Sequence, residues 1–137
     1  MSGLNQLLRL QRWTLDEKRR QASDLEQLID RLMQDIAQLD AAVEREIEAA
    51  RKDIELQRAL PGYRKSMKDR RERLEKSLID LRGELDKLRE QITEAFSELK
   101  KTEQTVKNRE QRQRLAERRR DQAISDEIGL QLHRRKG

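Results

Sequence analysis

Few residues in this chain have the types and spacing that chemistry needs. One histidine, His133, lies near the end of the sequence, and two acidic pairs, Asp16-Glu17 and Asp126-Glu127, are adjacent in the chain. A general acid or base needs a pocket and a neighbour that bring its pKa toward the working pH. Adjacent carboxylates on a helix diverge instead of converging on one atom, and a lone histidine in a charged tail is a solvated group. A Gly-rich phosphate loop, an EF-hand spacing and cysteine are all absent, so nucleotide, calcium and thiolate-metal sites have no candidates. The chain reads as a non-enzyme with no cofactor, no metal and no small-molecule substrate. What remains is recognition chemistry. Trp13, the single tryptophan, stands in LLRLQRWTLDEKRRQ beside Arg9, Leu10, Arg12, Arg19 and Arg20. Trp and Arg are the types most enriched at interface hot spots. Whether Trp13 enters a core or faces a partner depends on the elements that carry it.

Those elements are helices. The 137 residues are 43% charged and only 2% aromatic, too polar for a globule with a wide core. A disordered chain or long helices sharing a narrow apolar seam are the two classes left. Leu, Glu, Arg, Lys, Gln and Ala dominate, which favours helix. No apolar run approaches the ~20 residues that span a bilayer, and the N-terminus lacks a signal-peptide pattern. A cytoplasmic location is therefore expected.

The seam follows a heptad. Leu8, Leu15, Ala22, Ile29, Ile36 and Val43 recur every seven residues, with Leu4, Leu25, Leu32 and Leu39 in the companion series. After Val43 the apolar residues move to Ile47, Ala50 and Ile54, which reads as a stutter. A second series runs from Leu74 through Leu78, Leu81, Leu85, Leu88, Ile92, Ala95, Leu99 and Thr102 to Val106, with Met67 one heptad before it. Pro61-Gly62 is the strongest helix stop in the chain. The expectation is an all-α fold, a single antiparallel coiled-coil hairpin: helix 1 about 4–59, turn 60–62, helix 2 about 63–130, tail 131–137. Opposed residues then have numbers that sum to about 122. Under that register the seam turns polar in the same half of both helices, at Gln11 and Lys18 and again at Arg109, Gln113 and Arg120. About twenty residues at the end of helix 2 have no partner, and Ile124, Ile128 and Leu132 make a stripe there.

The heptad orients the recognition residues. With Leu8 and Leu15 at a, Trp13 falls at the outermost position, with Leu10 close to it on the outer side. Two readings stay open: Trp13 meets a partner, or the C-terminal tail folds back over it. Leu60, Tyr63 and Met67 cluster by the turn and either close the hairpin end or contact a partner. Net charge is uneven, −2 over residues 1–60 and +7 over 61–137, and the excess sits in KNREQRQRLAERRR, which includes Arg112, Arg118 and Arg119. Such a stripe is either a solvated face or a site for nucleic acid, an anionic membrane surface or an acidic protein surface.

LLRLQRWTLDEKRRQ, with its leucine/arginine run, aromatic and acidic-basic cluster, resembles the N-terminal segment of the flagellar export protein FliJ family. RLAERRRDQAISDEIGLQLHRR resembles that family's basic C-terminal helix. The resemblance covers the whole chain in layout and the two ends in residues. It implies a stalk of the flagellar type III export apparatus, a long antiparallel coiled coil. Such a stalk associates with the pore of the hexameric export ATPase, contacts the cytoplasmic part of the membrane export gate and binds export chaperones. On this reading Arg9, Leu10, Arg12, Trp13, Arg19, Arg20, Arg112, Arg118 and Arg119 meet the ATPase ring. Leu60, Tyr63 and Met67 meet the export gate. The low aromatic content departs from the family pattern. The stalk of virulence secretion systems, a close relative, is an alternative, as is a basic scaffold. Nucleic acid is disfavoured, because no aromatic interleaves with the arginines to stack on bases. A holdase would want a wide apolar groove or several arms, and one hairpin supplies neither.

Overall fold

The computed structural model describes residues 2–136; Met1 and Gly137 lie outside the described residues. It is all-α, with two long helices and no strand among the described residues: α1, Ser2–Ala50, and α2, Ile54–Lys136. The expected tail continues as helix up to Lys136.

The turn is not at Pro61-Gly62. It spans residues 51–53, and Pro61 lies inside α2 as its eighth residue. Three bonds close the end of α1: the amides of Arg51, Lys52 and Asp53 donate to the carbonyls of Glu48, Ala49 and Ala50 at 3.3, 3.4 and 3.4 Å. These are i to i−3 bonds, the tighter winding common in a last turn. Asp53 then starts α2. Its Oδ1 accepts from the amides of Glu55 and Leu56 at 2.9 and 3.4 Å, and its carbonyl accepts the first helical bond, from Gln57 at 3.0 Å. Asp is among the best N-cap residues, and Glu55 adds an acid to the positive first turn. No residue in the turn needs a positive φ, so no glycine marks it. Pro61 sits on the exposed side of α2, where the carbonyl it cannot bond reaches water. Its neighbours Leu60 and Tyr63 are half-buried in the seam. Packing therefore overrides a local stop signal.

The chain divides into two compact units, residues 15–94 and residues 1–14 with 95–137. Seam positions on either side of the division are small or polar, at Gln11, Lys18 and Ala95.

In the unit 15–94 the two helices run antiparallel on either side of the turn. Ala22, Ile29, Leu78, Leu85 and Leu88 form its buried cluster, flanked by Leu25, Leu32, Ile36, Leu81 and Ile92. The α2 seam extends further back than expected, through Met67 and Tyr63 to Leu60 and Leu56. Near the turn Glu46 and Ile47 are both half-buried and Ala50 is buried, so the expected stutter ends before Ile54. Ile54 belongs to α2 and is 67% exposed.

Cross-helix pairs correct the register. A turn at Pro61-Gly62 would set Arg89 opposite residue 33 and Arg82 opposite residue 40. Instead Arg89 reaches Glu26 at 3.4 Å and Arg82 reaches the Met33 sulfur at 3.7 Å. Arg71 meets Asp40 and Lys18 meets Gln91, further still from the expected levels, as a turn nearer the N-terminus requires. A slide by whole heptads leaves every seam position facing a seam position, so the apolar pattern alone does not choose the register.

In the other unit, residues 2–14 of α1 run antiparallel to α2. Arg12 lies 3.8 Å from Glu103, nearer the N-terminus of α2 than the expected partner. Leu99 and Thr102 are the buried α2 positions, and Thr102 spends its hydroxyl on the Glu98 carbonyl, at 3.1 Å. Gln11 occupies a seam position, and its Oε1 is buried with no hydrogen-bond partner among the described residues.

Candidate functional site

The candidate site is the outer surface of α1 within residues 2–14 and the α2 surface beside it. Seam residues fix its orientation: Leu8 and Gln11 turn inward, so Leu10 and Trp13 turn out. Trp13 is 62% exposed and Leu10 57% exposed, and Leu7 also lies open. No segment of α2 folds back over Trp13. Leu10 and Gln11, with Thr14, Ala95 and Glu98, line a small groove between the helices. Arg9 and Arg12 are exposed on the same short stretch, and Arg12 is tethered loosely to Glu103. An indole with cations beside it and a shallow apolar groove is suited to protein contact.

One exposed aromatic of this unit was not among the expected contact residues. Phe96 is exposed on α2, and the Lys100 ammonium lies 5.2 Å from its ring centroid. It follows Ala95 by one residue, so the seam phase alone could have placed it just outside the interface. It is a second aromatic on this unit's surface.

The other expected contact residues are dispersed. Arg112, Arg118 and Arg119 are exposed but do not lie level with Trp13. Leu4 and Asn5 of α1 already meet Val106, Arg109, Glu110 and Gln113. The unpartnered stretch of α2 thus starts about a heptad earlier than expected, and α2 is exposed throughout from residue 111 to residue 136. From Glu98, beside Leu10, to Arg118 is about 30 Å of helix. The expected basic surface around Trp13 is therefore two surfaces. Arg19 and Arg20 belong to the unit 15–94, where Arg20 pairs with Glu17 at 2.8 Å.

Leu60, Tyr63 and Met67 are not at the tip. They are half-buried seam residues of α2, in its second to fourth turns. The cluster that marked a hairpin end is hairpin core, because the turn moved. The tip itself is Arg51, Lys52 and Asp53, polar and exposed.

Among the described residues no group of three or more His, Asp and Glu side chains is placed to hold a metal ion, and no helix is long and apolar enough to cross a membrane. One ion pair perturbs its members. The Arg71 guanidinium holds the Asp40 carboxyl below its ordinary value chiefly through its hydrogen bond, against an opposing effect of burial, with its charge adding least. Asp40 in turn raises Arg71. Both lie in the seam region of the unit 15–94, and Arg71 completes its donors with Glu75.

No family model, curated protein or solved structure matches this chain.

Proposed function

We propose that this chain is a non-enzymatic stalk of a type III protein export apparatus, of the flagellar kind, cytoplasmic and peripheral to the inner membrane. Its partners on this reading are the hexameric export ATPase, the cytoplasmic domain of the export gate and export chaperones. The observation that carries it is the open Trp13-Leu10 surface with Arg9 and Arg12, held on a narrow two-helix element. The end motifs that resemble the FliJ family fall on this same unit, LLRLQRWTLDEKRRQ in large part and the basic α2 segment entirely. A charged two-helix element without a deep pocket suits many weak contacts along a pore, where one tight lock would hinder rotation or exchange. In this account the unit with Trp13 enters the ring, and Arg112, Arg118 and Arg119 form a separate contact further along α2.

The test is stimulation of the purified export ATPase by the double variant Trp13→Ala, Arg12→Ala. Loss of a hot-spot tryptophan costs ~2 kcal/mol or more, about thirtyfold in affinity. Stimulation and binding equal to those of the unchanged chain would remove Trp13 from the interface.

A further inference from the structure

The stretch 111–136 of α2 is helical and exposed at every described residue. Large apolar side chains lie open there, Leu115, Ile124 and Leu130 among them. The α2 seam nevertheless runs on into it. Positions seven apart continue from Leu88 through Ala95, Thr102 and Arg109 to Ala116, Ala123 and Leu130. The charges also differ from those before them. Earlier in α2 exposed charges pair within a turn, as Asp86 with Arg89, Glu98 with Lys101 and Lys100 with Glu103. None of the ion pairs among the described residues involves 111–136. Asp126 and Glu127 have no cation three or four residues away on either side, and Arg119 has no acid there. Asp126 accepts instead from the neutral Gln122 amide, at 3.0 Å.

We infer that two copies of this chain pair through residues 116–130 of α2, antiparallel about a two-fold axis at Ala123. In that register Ala123 meets its counterpart, and Leu130 of one copy lies level with Ala116 of the other. Leucine against alanine fills the seam without a clash, and alanine at the axis lets the helices approach closely. Arg119 and Asp126 lie on one flank of this seam, and Arg120 and Glu127 on the other. A two-fold axis sets each flank against the same flank of the partner. Arg119 therefore faces Asp126 of the second copy, and Arg120 faces its Glu127. Symmetry makes each of these pairs twice.

The charge order selects this occupant. An anionic lipid or an acidic protein surface attracts the arginines but repels Asp126 and Glu127. A parallel second copy sets Arg119 and Arg120 against the same arginines. Of these, the antiparallel copy alone offers each group its opposite. The same register brings Arg112 level with Arg134, like charges, which ends the pairing near residues 116 and 130. About 22 Å of helix is then shared. That is less than a standard interface provides, so the dimer is weak and forms as concentration rises. It occupies Arg119 and therefore competes with any other partner of that residue.

Sedimentation velocity on the full chain, from micromolar to millimolar concentration, tests the pairing. The unchanged chain should pass from monomer to dimer, and added salt should reverse the change, because exposed pairs are screened. Arg119→Glu with Arg120→Glu makes all four groups acidic, and Asp126→Arg with Glu127→Arg makes all four basic. Each variant alone should stay monomeric where the unchanged chain dimerises. An equimolar mixture should dimerise again, since every pair is restored between the two. These positions are exposed, and equal helicity by circular dichroism shows each variant folded. The chain has no cysteine, so one introduced thiol reports the register. With copper phenanthroline as oxidant, Ala123→Cys should link into a disulfide dimer and Ala116→Cys should not. Equal linkage of both would overturn the antiparallel pairing, and so would a mixture of the charge variants that stays monomeric. An unchanged chain that is monomeric throughout would also overturn it. If that chain cosediments with phosphatidylserine vesicles, the stretch belongs to a lipid surface instead.

Discussion

Arg71 on α2 reaches across to α1 and donates from Nε and Nη2 to the two carboxylate oxygens of Asp40, at 2.8 and 3.1 Å, while Nη1 donates to Glu75 on its own helix. This two-point pairing is the strongest geometric form of an Arg-carboxylate contact. It sits in the α2 seam between Met67 and Leu74 and ties the two helices together across it.

The pair makes a pH prediction. The native pKa of Asp40 is lowered, so its stabilisation is complete above the unfolded value of about 3.9 and is lost as pH falls through the lowered native value. Arg71 is raised from an already high value and stays charged throughout. Thermal melts followed by helicity should show Asp40→Asn below the unchanged chain at pH 7, with the gap closing under acid, below about pH 4. A gap independent of pH would mean that the carboxylate charge is not what acts.

The turn makes a paired prediction. Asp53→Ala removes the α2 cap and should cost about 1 kcal/mol. Pro61→Ala restores a helix hydrogen bond in α2 and should stabilise, by about 2 kcal/mol after the looser unfolded chain is counted. Denaturant titrations would resolve both. A turn at Pro61-Gly62 would reverse the pattern, with Asp53→Ala near neutral and Pro61→Ala destabilising.

Gln11 makes a third. Its Oε1 is buried at a seam position without a partner among the described residues, and such a group costs ~1–3 kcal/mol. Gln11→Leu should therefore strengthen pairing of residues 2–14, read as slower amide exchange there. Faster exchange would show that the glutamine is satisfied in solution.

Burial sets a contrast along α2. Leu85 is 5% exposed in the main cluster, while Leu132 is open. Leu85→Ala should cost ~2–5 kcal/mol, and Leu132→Ala under ~0.5 kcal/mol, by the same titrations. Equal costs would mean that the end of α2 is covered in solution.

Much of this was legible in the sequence, for a definite reason. Seam phase is local to each helix, so the all-α hairpin and the outward aim of Trp13 followed from Leu8 and Leu15 without knowledge of the turn. Turn position and register did not follow. Pro61-Gly62 is a strong local signal, but Leu56, Leu60, Tyr63 and Met67 continue the seam across it, and their packing wins. The true turn carries only Asp53 as its mark, a cap residue with no glycine beside it. Arg71-Asp40 is a contact between residues 31 apart that no periodicity announces. Moving the turn then displaced the basic stripe relative to Trp13 and absorbed Tyr63 and Met67 into the seam. Phe96 escaped notice because it follows a seam alanine and resembles one more core residue.

The central claim is that Trp13 is the stalk's contact with its ATPase. As the only tryptophan, it can be replaced by 5-fluorotryptophan during expression, giving a single fluorine resonance. Titration with the purified hexameric export ATPase should shift or broaden that resonance with saturation, and the Arg12→Ala variant should need more ATPase to reach the same point. A resonance unchanged at ATPase concentrations that fully stimulate hydrolysis would contradict the account.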